Sequence, residues 1–167
     1  SGKPLSLSID RKIQYLAYRE LKAAIRLHKA RSGSVVVLDN LTGEVLALVN
    51  QPSFNPNNRR NSSVDQYRNR ALTDVFEPGS TVKPFTIAAA LENGKFKAST
   101  KINTSPGFMK LGRNTIRDTR DYGVIDVSRV ITKSSNIGAT KIALSLDPDE
   151  VWSMFQKFGF GSITESG

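Results

Sequence analysis

The sequence predicts an α/β chain of the α+β kind, and three observations predict it. Residues 35–38 and 45–49 are short apolar runs on either side of a turn, the pattern of a β-hairpin. Residues 11–30 place apolar residues at helical spacing, the pattern of an amphipathic helix. From Ser80 onward, short apolar helical runs are separated by caps and breakers. The chain has 167 residues, of which 38% are apolar and 23% charged. That balance can bury a core and excludes a disordered tail. The length allows one domain or a piece of a larger one.

Taken in order, Leu5, Leu7 and Ile9 alternate with polar residues and predict a short strand. Asp10 then reads as the N-cap of the helix carrying Ile13, Leu16, Ala17, Leu21, Ala24 and Leu27. The basic residues of that helix read as a solvated face. Gly33-Ser34 opens a strand over Val35–Asp39. Asn40-Leu41-Thr42-Gly43 has turn chemistry, and Glu44–Asn50 returns. Residues 51–70 read as a long polar loop rich in Asn, Pro and Arg, with Arg59 and Arg60 solvated. Glu77-Pro78-Gly79 breaks the chain before a helix that starts at Ser80 and ends at Asn93-Gly94. Pro84 falls in its first turn, where a missing N–H is tolerated. A β-like or irregular stretch runs to about Asp121. Helices follow over 126–133, capped by Asp126, and over 137–146. Another begins at Asp147-Pro148 with acids at its positive end and closes at Phe158-Gly159-Phe160-Gly161. Trp152 and Phe155, at helical spacing, read as core. Glu77 is a candidate partner for a nearby arginine.

Several function classes are excluded. There is no cysteine, hence no disulfide framework, thiol catalysis or Cys-based zinc site. His28 is the one histidine; it has no second histidine to pair with and reads as a solvated helix residue. The longest apolar runs, such as Val35–Leu38, fall far short of the roughly 20 residues a membrane span needs. With no signal-peptide pattern and no initiating Met, the chain reads as processed or excised. The formal net charge of +9 raises nucleic-acid binding, but aromatic residues fall at core-like positions rather than interleaving with basic ones.

Ser80-Thr81-Val82-Lys83 is an S-x-x-K tetrad. With 18 Ser and 12 Lys in the chain, about one such tetrad is expected by chance, and an N-capping Ser beside a surface Lys would explain it. Its context adds weight. The tetrad opens an apolar helix, so Ser80 and Lys83 share one face. Burial and the positive helix end both disfavour a charged lysine. A neutral amine beside a hydroxyl is a base beside a nucleophile, and backbone N–H groups at the same helix end can hold an oxyanion. Downstream, Ser134-Ser135-Asn136 lies where two expected helices meet. A hydroxyl and an amide there can shuttle a proton and hold a peptide group; capping of the helix end explains them equally well. Ser53-Phe54-Asn55 is a second S-x-N triplet without that position.

Together these residues resemble the penicillin-binding protein and serine β-lactamase superfamily, whose signature is S-x-x-K, S-x-N and K-[ST]-G. The likeness covers nearly the whole chain. It takes in Leu5–Gln14, the hairpin from Val35 through Ala47, Asn55-Pro56-Asn57, Arg68–Ala71, Phe76–Ser80, Ile116-Arg117-Asp118 and Lys133–Gly138. Within the superfamily it resembles the transpeptidase domain of class B penicillin-binding proteins of the septal, cell-division type (the penicillin-binding protein 3 group). The fold this implies is an antiparallel sheet flanked by helices, with Ser80 on a central helix. One motif is missing. Lys110-Leu111-Gly112 lacks the hydroxyl residue of K-[ST]-G, and Arg31-Ser32-Gly33 precedes Ser80. The resemblance therefore implies that residues 1–167 are the N-terminal portion of a transpeptidase domain. The third motif, the remaining strands, the pedestal domain and the membrane anchor would lie elsewhere.

The implied activity is cross-linking of cell-wall stem peptides ending in D-Ala-D-Ala, with β-lactams as covalent inhibitors. Ser80 would be the nucleophile, Lys83 its base, Ser134 a proton relay and Asn136 a substrate-binding amide, with no cofactor and no metal. The implied partners are the C-terminal part of the domain and cell-division and glycosyltransferase proteins, with no nucleic acid. The implied place is the inner membrane, with this domain in the periplasm. Residues 1–167 alone are expected to be inactive, because the strand carrying the third motif supplies one oxyanion donor. A serine β-lactamase is the nearest rival, but no clear glutamate base follows Ser134. A penicillin-sensing receptor domain is another, and a basic nucleic-acid-binding module the most distant.

Overall fold

The computed structural model describes residues 3–58 and 63–164. Arg59, Arg60 and the last three residues lie outside the described residues. The chain divides into two compact units, Ser1–Phe76 and Glu77–Gly167.

The first unit is a helix laid on a hairpin. Helix α1 (Arg11–His28) starts at Asp10, whose carboxylate accepts from the N–H groups of Lys12 and Ile13 at 2.8 and 2.9 Å. Those two donors hold the Asp10 carboxyl below its ordinary range. Arg11, Lys12, Arg19, Arg26 and His28 are exposed, as expected, whereas Lys22 is half-buried against Tyr18. Strands β1 (Gly33–Leu38) and β2 (Val45–Gln51) pair antiparallel, with Val35 opposite Val49 and Val37 opposite Ala47. Asp39 forms the turn by accepting from Leu41 and Thr42 N–H, and Gly43 takes φ +76°, a conformation costly for a residue with a Cβ. Helix and hairpin approach closely at Gly33, where a Cβ would lie 3.0 Å from Ile25 Cδ1.

The strand expected over Leu5–Ile9 does not form. That segment runs beside β2 and meets it through two hydrogen bonds, Ser8 Oγ to Val45 O and Asp10 N to Leu46 O. Leu5 and Leu7 stay exposed, so the alternation has no second face to bury. Gln14 continues the contact: its amide donates to Leu48 O and accepts from Leu48 N, both at 2.8 Å. The long loop carries more structure than composition suggests. Residues Val64–Tyr67 make a 3-10 turn with a Ser63–Gln66 capping box, and α2 (Arg70–Thr73) follows. Arg70 and Arg68 both reach the Asp74 carboxylate; the Arg70 hydrogen bond foremost holds that carboxyl below its ordinary range.

The second unit packs four helices with two strand pairs. A 3-10 turn, Gly79–Val82, leads into α3 (Lys83–Glu92), which ends at Asn93 as expected. Strand β3 (Lys101–Asn103) pairs with β6 (Val124–Asp126), and β4 (Phe108–Leu111) with β5 (Asn114–Arg117), all antiparallel. These pairs resolve the stretch that sequence leaves irregular. Helix α4 (Val127–Thr132) is capped by Asp126, α5 (Asn136–Leu144) by Ser135, and α6 (Pro148–Lys157) by an Asp147–Glu150 capping box. The core joins Ile87, Ala90, Val127, Val130 and Ile142, all at most 1% exposed. Phe85 meets Phe158 and Phe160 edge-on, Phe155 meets Phe160 edge-on, and Phe85 and Phe155 pack tilted, with centroids 4.8–5.7 Å apart, which fixes the Phe-Gly-Phe end of α6. Trp152 departs from expectation. It is 54% exposed and packs over Gly161, while Met154 occupies the buried stripe of α6. Among the described residues Glu77 makes no ion pair.

Gly138 joins α4 and α5. A Cβ there would sit 2.6 Å from Val130 Cγ2 and 3.1 Å from Ser135 Oγ, and Val130 is fully buried. Gly138→Ala is therefore expected to destabilise the intact protein by about 1–3 kcal/mol through overpacking. A thermal melt checks this, and an unchanged Tm would show that Val130 can yield.

Candidate active site

The tetrad is built by the turn before α3. Pro78 takes φ −70° and Gly79 φ +59°, so the chain reverses sharply and presents Ser80 to solvent. The Ser80 side chain caps nothing. Its oxygen instead lies 3.0 Å from Lys83 Nζ, which disposes of the capping alternative.

The triplet is built by the junction of α4 and α5. Ser134 sits at φ +52°, a left-handed conformation that usually falls to glycine after a helix and costs a serine on the order of 1 kcal/mol. Ser135 N–H closes back on Val130 O at 2.9 Å. The twist turns both the carbonyl and the hydroxyl of Ser134 toward Lys83, at 2.7 and 3.0 Å. Asn136, the first residue of α5, adds Oδ1 at 2.7 Å. Its Nδ2 donates to Arg117 O at 2.8 Å, and those two partners fix which way the amide faces. All four residues singled out from sequence thus converge on one amine.

Four oxygens surround Lys83 Nζ, and they are not equivalent. The Ser134 carbonyl and Asn136 Oδ1 can only accept, and they lie closest. A neutral amine has two hydrogens for those two acceptors and one lone pair left for a hydroxyl. Two hydroxyls, Ser80 and Ser134, lie 3.0 Å away to share that lone pair, an arrangement in which a neutral amine can accept a proton from Ser80 as a general base does from a nucleophile. Burial pulls the Lys83 pKa below its ordinary value, while the Asp118 charge pulls it back upward.

Asp118 is what sequence reading missed. It appeared there only within a matching run. In the structure its carboxylate accepts from Ser135 Oγ and Asn136 N–H at 2.6 Å each, and from Ile137 N–H at 3.1 Å. Seventeen residues separate it from Ser135, and no local spacing rule connects a loop carboxylate to a turn that far away. A groove of about 410 Å³ runs past Ser80, Lys83 and Asn136 along Thr86, Ile116 and Thr140. Among the described residues no cluster of His, Asp and Glu could hold a metal, and no helix is long and apolar enough to cross a membrane.

Residues 33–167 match the family described as the penicillin binding protein transpeptidase domain. The chain belongs to that family. This penicillin-binding transpeptidase chain is 46% identical over its whole length to the probable peptidoglycan D,D-transpeptidase PenA of Neisseria flavescens, of which it covers 41%. It is 43% identical over 98% of its length to the peptidoglycan D,D-transpeptidase FtsI of Escherichia coli K12, of which it covers 27%. The transpeptidase domain of penicillin-binding protein 3 from Burkholderia pseudomallei superposes with a TM-score of 0.81 at 45% identity, over 96% of this chain and 44% of that one. The family, the penicillin-binding protein 3 group and the α/β fold read from the motifs are thereby borne out. The chain spans less than half the length of these relatives.

Proposed function

We propose that this chain is the first part of the transpeptidase domain of a peptidoglycan D,D-transpeptidase that works through a Ser80 acyl-enzyme. The observation that carries the reading is the Lys83 amine, 3.0 Å from Ser80 Oγ and bonded on its other sides to two oxygens that can only accept. In the forward step Ser80 Oγ attacks the carbonyl carbon between two D-alanines, and its proton passes to Lys83 Nζ. The developing oxyanion takes the Ser80 N–H at the start of the turn. The C–N bond then breaks, and Ser134 Oγ, hydrogen-bonded to Lys83, relays a proton to the departing amine. Asn136 keeps one Nδ2 hydrogen beyond the Arg117 contact, and that hydrogen meets a substrate carbonyl. An amine from a second stem peptide then attacks the ester and releases Ser80 as the cross-link forms. The second oxyanion donor comes from a K-[ST]-G strand, a motif that residues 1–167 do not contain. The names PenA and FtsI borne by relatives support placing the protein on the periplasmic side of the inner membrane, in septal wall synthesis.

A fluorescent penicillin tests this. The intact protein carrying this chain is expected to form a stable adduct whose label maps to the peptide containing Ser80. Rapid turnover of a chromogenic cephalosporin would instead favour a β-lactamase, and label on any other residue would overturn the assignment of Ser80.

A further inference from the structure

We infer that Asp118 is a positioning residue for this site: its carboxylate gathers the Ser134–Asn136 turn against Lys83 and sets a fixed negative charge behind that turn. The inference rests on the acyl-transfer reading above and adds to it a residue outside the signature motifs.

The gathering is physical. Asp118 accepts three hydrogen bonds from three consecutive residues, Ser135 Oγ, Asn136 N–H and Ile137 N–H. Two of these are first-turn N–H groups of α5, which has no acid of its own in that turn. An external carboxylate therefore satisfies the donors and complements the positive helix end at once. Ser135 Oγ passes the restraint inward by accepting from Gly138 N–H at 2.9 Å. The neighbouring Arg117 carbonyl holds Asn136 Nδ2, so two successive residues, the last of β5 and the first after it, grip the turn from outside. With the turn so held, Ser134 can stay in a conformation that disfavours it and aim its carbonyl at Lys83.

Asp118 is itself held. Its N–H donates to Gly107 O at 3.0 Å, and Asp121 three residues on accepts from Ser105 Oγ at 3.0 Å and Gly123 N–H at 2.8 Å. The strand-end loops approach so closely there that a Cβ on Gly107 would lie 2.9 Å from Asp121 N. This carboxylate is thus carried on a braced loop rather than a free one.

Ser80 from the turn before α3 and Ser134 and Asn136 from the α4–α5 junction hydrogen-bond Lys83, and Asp118 from the loop after β5 acts on it through its charge from behind that junction. Of these, Asp118 is the charged one. A negative charge favours the protonated amine, so its removal makes Lys83 lose its proton at lower pH. Loss of the restraint, in contrast, lowers the rate at every pH. The two effects have separate signatures.

The experiment measures acylation of the intact protein by a fluorescent penicillin across pH. Asp118→Asn keeps the shape and removes the charge. It is expected to lower the plateau rate, by up to about 10²-fold for a displaced catalytic group, and to move the acid limb to lower pH. Asp118→Glu restores the charge on a longer arm and is expected to lower the plateau while leaving the limb in place. If Asp118→Asn does not fold, Ser135→Ala carries the test of positioning, with a lowered plateau and an unmoved limb expected. A profile that superimposes on the parent, or loses only the amount of active protein, overturns the inference. Ser80→Ala in the same series separates the two readings: acylation that survives it counts against the Ser80 site and not against Asp118.

Discussion

Ser80→Ala is expected to leave a folded protein that forms no covalent adduct with a penicillin. The fold should tolerate the change because the hydroxyl is exposed, caps no helix and has Lys83 Nζ as its side-chain partner. Surface changes of that kind usually stay within about 0.5 kcal/mol. The chemistry should not tolerate it, because no other hydroxyl occupies the place 3.0 Å from the amine at the head of α3. Ser134 Oγ lies at the same distance from Lys83, but it sits at the α4–α5 junction, where the first N–H groups of α5 are already bonded to Asp118. Gel fluorescence after labelling, with a melt on the same sample, checks both halves. Adduct formation by the alanine variant would remove Ser80 from the mechanism.

Lys83→Ala is expected to lower the acylation rate by about 10²–10⁴-fold, the contribution of a positioned general base. Lys83→Arg is expected to do the same despite keeping a cation, because a guanidinium stays charged and has no lone pair to accept from Ser80. The sign of the pH dependence follows from the burial that holds the Lys83 pKa below its ordinary value. Acylation should rise with pH while the amine loses its proton and flatten above that pKa, closer to neutrality than an exposed lysine would allow. Acylation constants measured across pH for the parent and both variants check this. Arginine acylating at the parent rate, or a parent profile flat through the acid range, would show that Lys83 is not the base.

The parts of this chain legible in sequence are those that local chemistry dictates. Asp10, Asp126 and Asp147 announce their helices because a cap needs only a carboxylate two or three residues from the N–H it accepts. The β1–β2 hairpin is legible because Asp39 and Gly43 make the turn themselves. Leu5–Ile9 misleads because alternation describes a strand only where a partner exists, and there Ser8 Oγ and the following Asp10 N–H meet β2 without forming a ladder. Trp152 misleads for a similar reason: helical spacing says which residues share a stripe, not which stripe faces the core. At the site, Ser80 and Lys83 are legible from three-residue spacing on a helix, and Ser134 and Asn136 from resemblance. Asp118 is not legible, since a loop carboxylate and the turn it holds come together through β4, β5 and the packing of α5.

The clamp of Gln14 on Leu48 has a consequence for self-association. Both main-chain groups of Leu48 on the outer side of β2 are already taken by a side chain, whereas β1 pairs with no strand but β2 among the described residues. Strand addition on the β2 side is thus blocked at Leu48, so a strand that joins this hairpin, whether from the same protein outside residues 1–167 or from a second copy, is directed to β1.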